Sequence, residues 1–255
     1  MKAEGRAQAG PALRDRARIQ ALLAAHPLFA GVPGPDLEAV LRRADVLHLS
    51  PGEILYTAGE SARGVSVVLS GAIQIEYPAV GEVRGYVAAM LEAPAFVGEC
   101  QVLHERTWSG TGVALLPVVA VGLDRQTLEA LIREQPRFAL AAYREITERF
   151  LNAIDTWRHQ VRLSPSETLA RYLLSVATLR ERAGVSPEAL LEIRQVDLGL
   201  ATGLRRETIN RVLKAWERQS ALEIHAKGLA KLDLGALSEA LGEGRPLLFP
   251  ARASP

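Results

Sequence analysis

Residues 203–228 read GLRRETINRVLKAWERQSALEIHAKG. Ile209, Val212, Leu213 and Trp216 recur at the three- and four-residue intervals of one helical face. The stretch just before, QVDLGLAT, makes a short helix with Leu198 and Ala201 turned inward. Gly203 between them supplies the positive φ that a tight turn requires. The other face of the second helix carries Arg205, Arg206, Asn210, Arg211, Lys214 and Arg218. Basic and amide side chains at the start of a second helix are what major-groove reading needs. Arginine can bond guanine O6 and N7 together, and glutamate can accept from the cytosine amine. The stretch therefore reads as a helix-turn-helix. The competing reading is an ordinary amphipathic surface helix with a basic face.

After this helix the sequence predicts a hairpin over ALEIHAKGLAKLDL, a short helix over GALSEAL, and a flexible Pro/Gly-rich tail over residues 243–255. Upstream, Ser164, Pro165 and Glu167 are the N-cap, first position and capping-box partner of a helix over SPSETLARYLLSVATLRERAG. Residues 164–242 thus form one unit. Before it, Pro136 opens a long helix over residues 136–163. Ala139, Tyr143, Ile146, Phe150, Ala153 and Trp157 are spaced 4, 3, 4, 3, 4 along it, the stripe of a coiled-coil seam between two chains. The plainer reading is a helix packed on its own domain.

Residues 19–135 have a different texture. Helices over Ile19–Phe29 and from Asp36 flank a region, Asp45 to about Leu123, where short alternating runs replace helical spacing. Val65, Val67 and Leu69 alternate before Ser70-Gly71, and Ile73, Ile75 and Tyr77 after it, which predicts a β-hairpin. Further runs at Val83–Met90, Thr111–Leu116 and Val118–Leu123, separated by glycine and proline, predict a small β-roll or jelly roll. Residues 1–18 read as a flexible tail. The fold class is α+β.

Composition sets outer bounds. The chain has 30 Lys plus Arg against 29 Asp plus Glu, which gives no bulk attraction to nucleic acid or anionic membrane. The charge is local: Arg205–Arg218 holds five basic residues against Glu207 and Glu217. A single cysteine, Cys100, excludes an intramolecular disulfide and fits a cytoplasmic location. Neither a secretory leader nor a membrane span is expected, since the longest apolar stretch, Val113–Leu123, contains Pro117. With no Gly-rich phosphate loop, Ser/His/Asp arrangement or paired metal motif, an enzyme is not expected.

The stretch GLRRETINRVLKAWERQSALEIHAKG resembles the DNA-binding segment of the cyclic-AMP receptor protein/FNR (Crp/Fnr) superfamily of bacterial transcription regulators. That family reads DNA with an Arg-Glu-Thr-x-x-Arg run, matched here by Arg206 to Arg211. Pro51-Gly52-Glu53, Gly59-Glu60, Leu69-Ser70-Gly71 and Phe96-Val97-Gly98-Glu99 match its β-roll turns and the start of its effector cassette. The resemblance spans roughly Leu28 to Leu241. It implies a cyclic-nucleotide-binding-like β-roll, a dimerisation helix and a C-terminal winged helix-turn-helix. It further implies a homodimer on pseudo-palindromic, TGTGA-like double-stranded DNA, with RNA polymerase as a partner. Arg206 and Arg211 would contact guanines, Glu207 a base on the opposite strand, Asn210 a base, and Lys227 at the wing tip a phosphate. Arg205 and Lys214 complete the expected DNA-binding set.

The effector cassette departs from the cyclic-nucleotide pattern. In nucleotide-binding members a Gly-Glu pair, here Gly98-Glu99, holds the ribose, and an arginine neutralises the cyclic phosphate. Trp108 falls in that arginine position, followed by Ser109. Arg106-Thr107 lies two residues earlier and would serve only if the loop register shifts. Arg149 matches an arginine of the long helix, but Ala153 and Ile154 stand where base-binding hydroxyls are expected. A cyclic nucleotide is therefore disfavoured as effector, and the chain needs either another effector or none. No resident cofactor or metal is expected. Haem would have only Cys100 and His104 as its best ligand pair, and these otherwise read as a small buried residue and a surface loop residue. The alternative of a different class is a ligand-binding module that regulates a protein partner, which leaves RRETINR and the wing unexplained.

Overall fold

The computed structural model describes residues 13–81, 85–160, 163–186, 189–242 and 247–249. The first helix, α1, spans Leu13–Ala25, six residues earlier than expected for a tail ending at residue 18. Arginine and alanine are good helix formers, so the segment extends the helix whose residues Ile19 and Leu23 are buried. A 3₁₀ turn at Pro27–Phe29 and α2 (Gly34–Arg43) complete the N-terminal cap. The turn is fixed by His26, whose Nδ1 accepts from the Leu28 N–H at 3.2 Å. Burial holds the imidazole neutral and lowers its pKa to about 4, although Nε2 lies 3.3 Å from the Ala95 carbonyl.

The β-roll is two facing sheets. One contains β1 (Asp45–Leu49), β8 (Val118–Asp124), β3 (Gly64–Ser70) and β6 (Ala95–Val97), in that order. The other orders β11 (Leu248–Phe249), β5 (Tyr86–Glu92), β4 (Ala72–Tyr77), β7 (Thr111–Ala114) and β2 (Ile54–Tyr56). The hairpin expected at Ser70-Gly71 does not form. β3 pairs with β6 and β8, whereas β4 pairs with β5 and β7, so the turn is a corner between sheets. Gly71 is at φ 87°, and a Cβ there would lie 2.2 Å from the Pro117 carbonyl oxygen, so only glycine makes this corner.

Alternation along the strands then separates three cores. Val68, Ile73, Leu91, Val97 and Ala120 fill the space between the sheets. Val65, Val67, Phe96 and Val121 face the helices, including α4 (Arg125–Glu134). Ala72, Val87 and Met90 face the other way and share a core with the C-terminal unit.

The long helix α5 spans Pro136–Gln160. Phe138 and Ala142 bury against the β-roll helices, with Phe138 beside Phe29 at 5.2 Å between ring centroids. On another face Leu140, Tyr143, Phe150, Leu151 and Ile154 are exposed, Tyr143 and Phe150 by 65% and 64%. Ala153 is exposed as well, Ile146 is half-buried, and the Trp157 side chain lies outside the described residues. The helix thus carries an intradomain stripe and a separate, uncovered apolar stripe.

Helix α6 (Pro165–Arg182) starts with the expected capping box: Ser164 Oγ accepts from the Glu167 N–H at 3.2 Å, and Glu167 accepts from the Ser164 N–H at 2.7 Å. Then come α7 (Gln195–Thr202), α8 (Arg206–Arg218), β9 (Glu223–His225), β10 (Gly228–Ala230) and α9 (Leu234–Leu241). Within the expected C-terminal tail, residues 248–249 form β11 in parallel with β5, while residues 243–246 and 250–255 lie outside the described residues.

Candidate nucleic-acid interface and effector pocket

The interface is built on α7 and α8. Asp197 closes the first turn of α7 by accepting from the Arg194 N–H and guanidinium at 2.9–3.0 Å. The helix stops at Gly203, in the left-handed region at φ 71°. Thr202 Oγ1 accepts from the Leu204 N–H at 3.3 Å and donates to the Leu198 carbonyl at 2.6 Å, locking the turn. Ile209, Val212, Leu213 and Trp216 seat α8 on the core. That orientation leaves Arg205, Arg206, Glu207, Arg211 and Lys214 exposed and Asn210 half-buried. Arg205 is the N-cap residue but makes no side-chain cap bond. Lys227 is exposed between β9 and β10. The result is a basic helix start beside a two-stranded wing, a shape that fits a major groove and its flanking phosphates.

The effector pocket closes on itself. Gly98, at φ 103°, precedes the short helix α3 (Glu99–Val102). A Cβ on Gly98 would meet the Trp108 ring at 2.6 Å, so the indole fills that cradle. Trp108 stacks on Tyr56 with centroids 4.2 Å apart and an interplanar angle of 24°. The loop register is set by backbone bonds from Trp108 N–H to the Glu60 carbonyl and from Gly59 N–H to the Trp108 carbonyl, at 2.9 and 2.8 Å. In that register Trp108 is buried, while Arg106 and Ser109 are exposed; Ser109 Oγ accepts from Gln101 Nε2 at 3.0 Å.

Glu99 is 5% exposed. Its Oε1 accepts from Arg149 Nη2 at 2.6 Å, and its Oε2 has no partner among the described residues. Arg149 Nη1 also donates to the Phe96 carbonyl at 2.6 Å, and Glu145, one turn earlier on α5, accepts from the Phe96 N–H at 2.9 Å. Two side chains of α5 therefore bracket one residue of β6. Burial pushes the Glu145 carboxyl up to about 7, against the opposing pull of Arg149 and the Phe96 N–H. Burial first, then the Glu99 charge, raises the Tyr56 phenol.

Cys100 is exposed rather than buried, because α3 turns it outward. Partial desolvation and Glu99 push its thiol up to about 11, and its Sγ donates to Glu99 at 3.4 Å. A thiol so raised is a poor nucleophile and a poor metal ligand at neutral pH. His104 is an exposed loop residue. Among the described residues no group of three or more His, Cys, Asp or Glu side chains could hold a metal ion. Sequence reading missed Tyr56 and Glu145. Glu145 falls on the 138/142/145/149 face of α5, and a carboxylate on that otherwise inward stripe was the available signal.

Comparison with known proteins follows the same division. Residues 46–135 match the cyclic nucleotide-binding domain, and residues 167–240 match the Crp-like helix-turn-helix domain. This chain is a Crp/Fnr-family DNA-binding transcription regulator. It is 29% identical over 191 residues to the HTH-type transcriptional regulator Cmr of Mycobacterium tuberculosis, covering 74% of this chain and 73% of that one. It is 26% identical over 220 residues to the cyclic AMP receptor protein of Thermus thermophilus, covering 86% and 97%. A solved crp/fnr-family structure from Eubacterium rectale shares the fold at TM-score 0.69 and 15% identity, covering 84% and 97%. The family is not enzymatic. No helix among the described residues is long and apolar enough to cross a membrane.

Proposed function

We propose that this Crp/Fnr member acts as a cytoplasmic homodimer on pseudo-palindromic, TGTGA-like sites. The observation that carries the reading is the exposed start of α8, where Arg206, Glu207 and Arg211 stand clear of the protein core on a helix fixed by four buried residues. Arg206 and Arg211 read guanines, Glu207 accepts from a cytosine amine, and Asn210 touches a neighbouring base. Arg205, Lys214 and the wing Lys227 neutralise phosphates. The uncovered stripe of α5, with Tyr143, Ile146, Phe150, Ala153 and Trp157, pairs two chains. Two winged helices then enter successive major grooves with half-site centres about 34 Å apart. RNA polymerase is the partner that turns occupancy into regulation.

The effector is not cyclic AMP. A cyclic phosphate needs a cation where Trp108 places an indole, and the pocket's inward cation, Arg149, is already paired with Glu99. Arg106, the other candidate cation, is exposed on the loop. The chain uses a different ligand or none, and no resident cofactor.

Fluorescence anisotropy with a duplex carrying two TGTGA half-sites tests the reading. Binding is expected about a thousandfold tighter than to a scrambled duplex at the same salt. Equal affinity for both would overturn sequence-specific recognition. Calorimetry with cyclic AMP is expected to give no saturable heat. Micromolar binding that Arg106→Ala abolishes would overturn the effector reading.

A further inference from the structure

The C-terminal unit is not simply linked to the β-roll; it is seated on it. Ala72, Val87 and Met90 of the second sheet share one buried core with Leu169, Leu173 and Val176 of α6. α7 lies against β5. Arg182 of α6 pairs with Glu92 of β5 at 2.6 Å. Beyond α9 the chain returns to the same edge. The Leu247 carbonyl accepts from the Met90 N–H at 3.0 Å, and Leu248 and Phe249 run in parallel register with Met90 and Leu91. Leu247 is 3% exposed, and its N–H donates to Ser175 Oγ at 2.8 Å, so this residue is pinned to both units at once.

The position matters for DNA. A groove of about 650 Å³ is lined by Arg206, Val196 and Leu200 of the helix-turn-helix and by Ala79 and Gly85, which lie between β4 and β5 in the chain. The first helix of such a motif must cross the DNA backbone, and the start of the second must reach base edges. Here the first lies on β5, and the start of the second shares its groove with the β-roll. The duplex and the β-roll therefore compete for the same side of the motif.

The interface is also incompletely satisfied. Gln74, whose register opposite Met90 turns it toward the C-terminal unit, has a buried Oε1 with no hydrogen-bond partner among the described residues, and the same holds for Arg171 Nε of α6. Groups left this way gain hydrogen bonds to water when the units part, which favours a reversible contact over a permanent one.

We propose that residues 247–249 are an autoinhibitory latch: by adding a strand to β5 they hold the winged helix on its own β-roll, in a placement that DNA must displace. The latch rests on the DNA-binding reading above for its consequence, but not for its existence. Affinity for any duplex is then reduced by the fraction of chains whose latch is open.

Two variants of the full dimeric protein test it: Leu247→Asp, which places a charge where the strand is buried, and a chain ending at Gly242, which lacks the strand. Both are expected to bind the TGTGA duplex and the scrambled duplex about tenfold more tightly, with the ratio between them unchanged. Hydrogen exchange is expected to accelerate at Met90 and along α7, while Ile209 and Leu213 of α8 remain protected. Unchanged DNA affinity in both variants, with exchange at Met90 accelerated, would overturn autoinhibition. Unchanged exchange at Met90 in both would overturn the latch itself. If no form binds DNA yet exchange at Met90 and α7 rises, the latch stands as a domain clamp and the DNA-binding reading falls.

Discussion

Glu145→Gln isolates the attachment of α5 to β6. The wild-type carboxyl has a pKa of about 7 in the folded chain against an ordinary 4.5, chiefly because it is buried. The folded state therefore holds this proton more tightly than the unfolded state. The resulting stabilisation is fully present below pH 4.5 and is lost as pH rises through about 7. At about 1.4 kcal/mol per tenfold change in proton affinity, the full gap is worth roughly 3 kcal/mol. Residual solvent access lowers that to about 1–3 kcal/mol. Glutamine keeps an oxygen that can accept from the Phe96 N–H but cannot ionise. Urea unfolding of both proteins at pH 5 and pH 8 is the assay. The variant is expected to gain on the wild type by about 1–3 kcal/mol between the two pH values. A difference that stays constant with pH would show that the folded chain holds this proton no more tightly than the unfolded one, and would refute the reasoning.

Phe150→Asp, on the exposed stripe of α5, is expected to weaken self-association by about thirtyfold, or roughly 2 kcal/mol, measured by sedimentation. Unchanged association would place the dimer seam elsewhere. Gly98→Ala is expected to destabilise the β-roll by about 1–3 kcal/mol in thermal unfolding, because its φ of 103° and the Trp108 ring both oppose a side chain. Lys227→Ala is expected to weaken binding to all duplexes alike and to reduce the slope of log affinity against log salt by about 1.

The helix-turn-helix was legible because its signals are local. Gly203, the four-residue buried stripe and the capping box at Ser164 each act within a few residues, so spacing determines them. The β-roll was legible as a class but not as a topology. Period two at Val65–Leu69 and Ile73–Tyr77 says which faces are buried, but not which strands pair; Gly71 turns a corner because of Pro117, 46 residues away. Long-range chemistry was less visible still. The Glu99–Arg149 pair spans 50 positions and the Phe96–Glu145 bond 49, and no local pattern encodes either. Substitution of the expected arginine by Trp108 was readable, but its stacking on Tyr56 and filling of the Gly98 cradle required the fold. Residues 243–255 looked like a tail by composition, and only the free edge of β5 gives Leu248 and Phe249 a partner.

The proposed DNA recognition rests on base edges being read by the start of α8. Its most direct test is to measure Arg206→Ala against a panel of duplexes in which each half-site position is changed in turn. A loss of about 1–3 kcal/mol is expected on the best site, with discrimination relaxed at one position and retained at the others. A uniform loss across every duplex, with all base preferences intact, would contradict it.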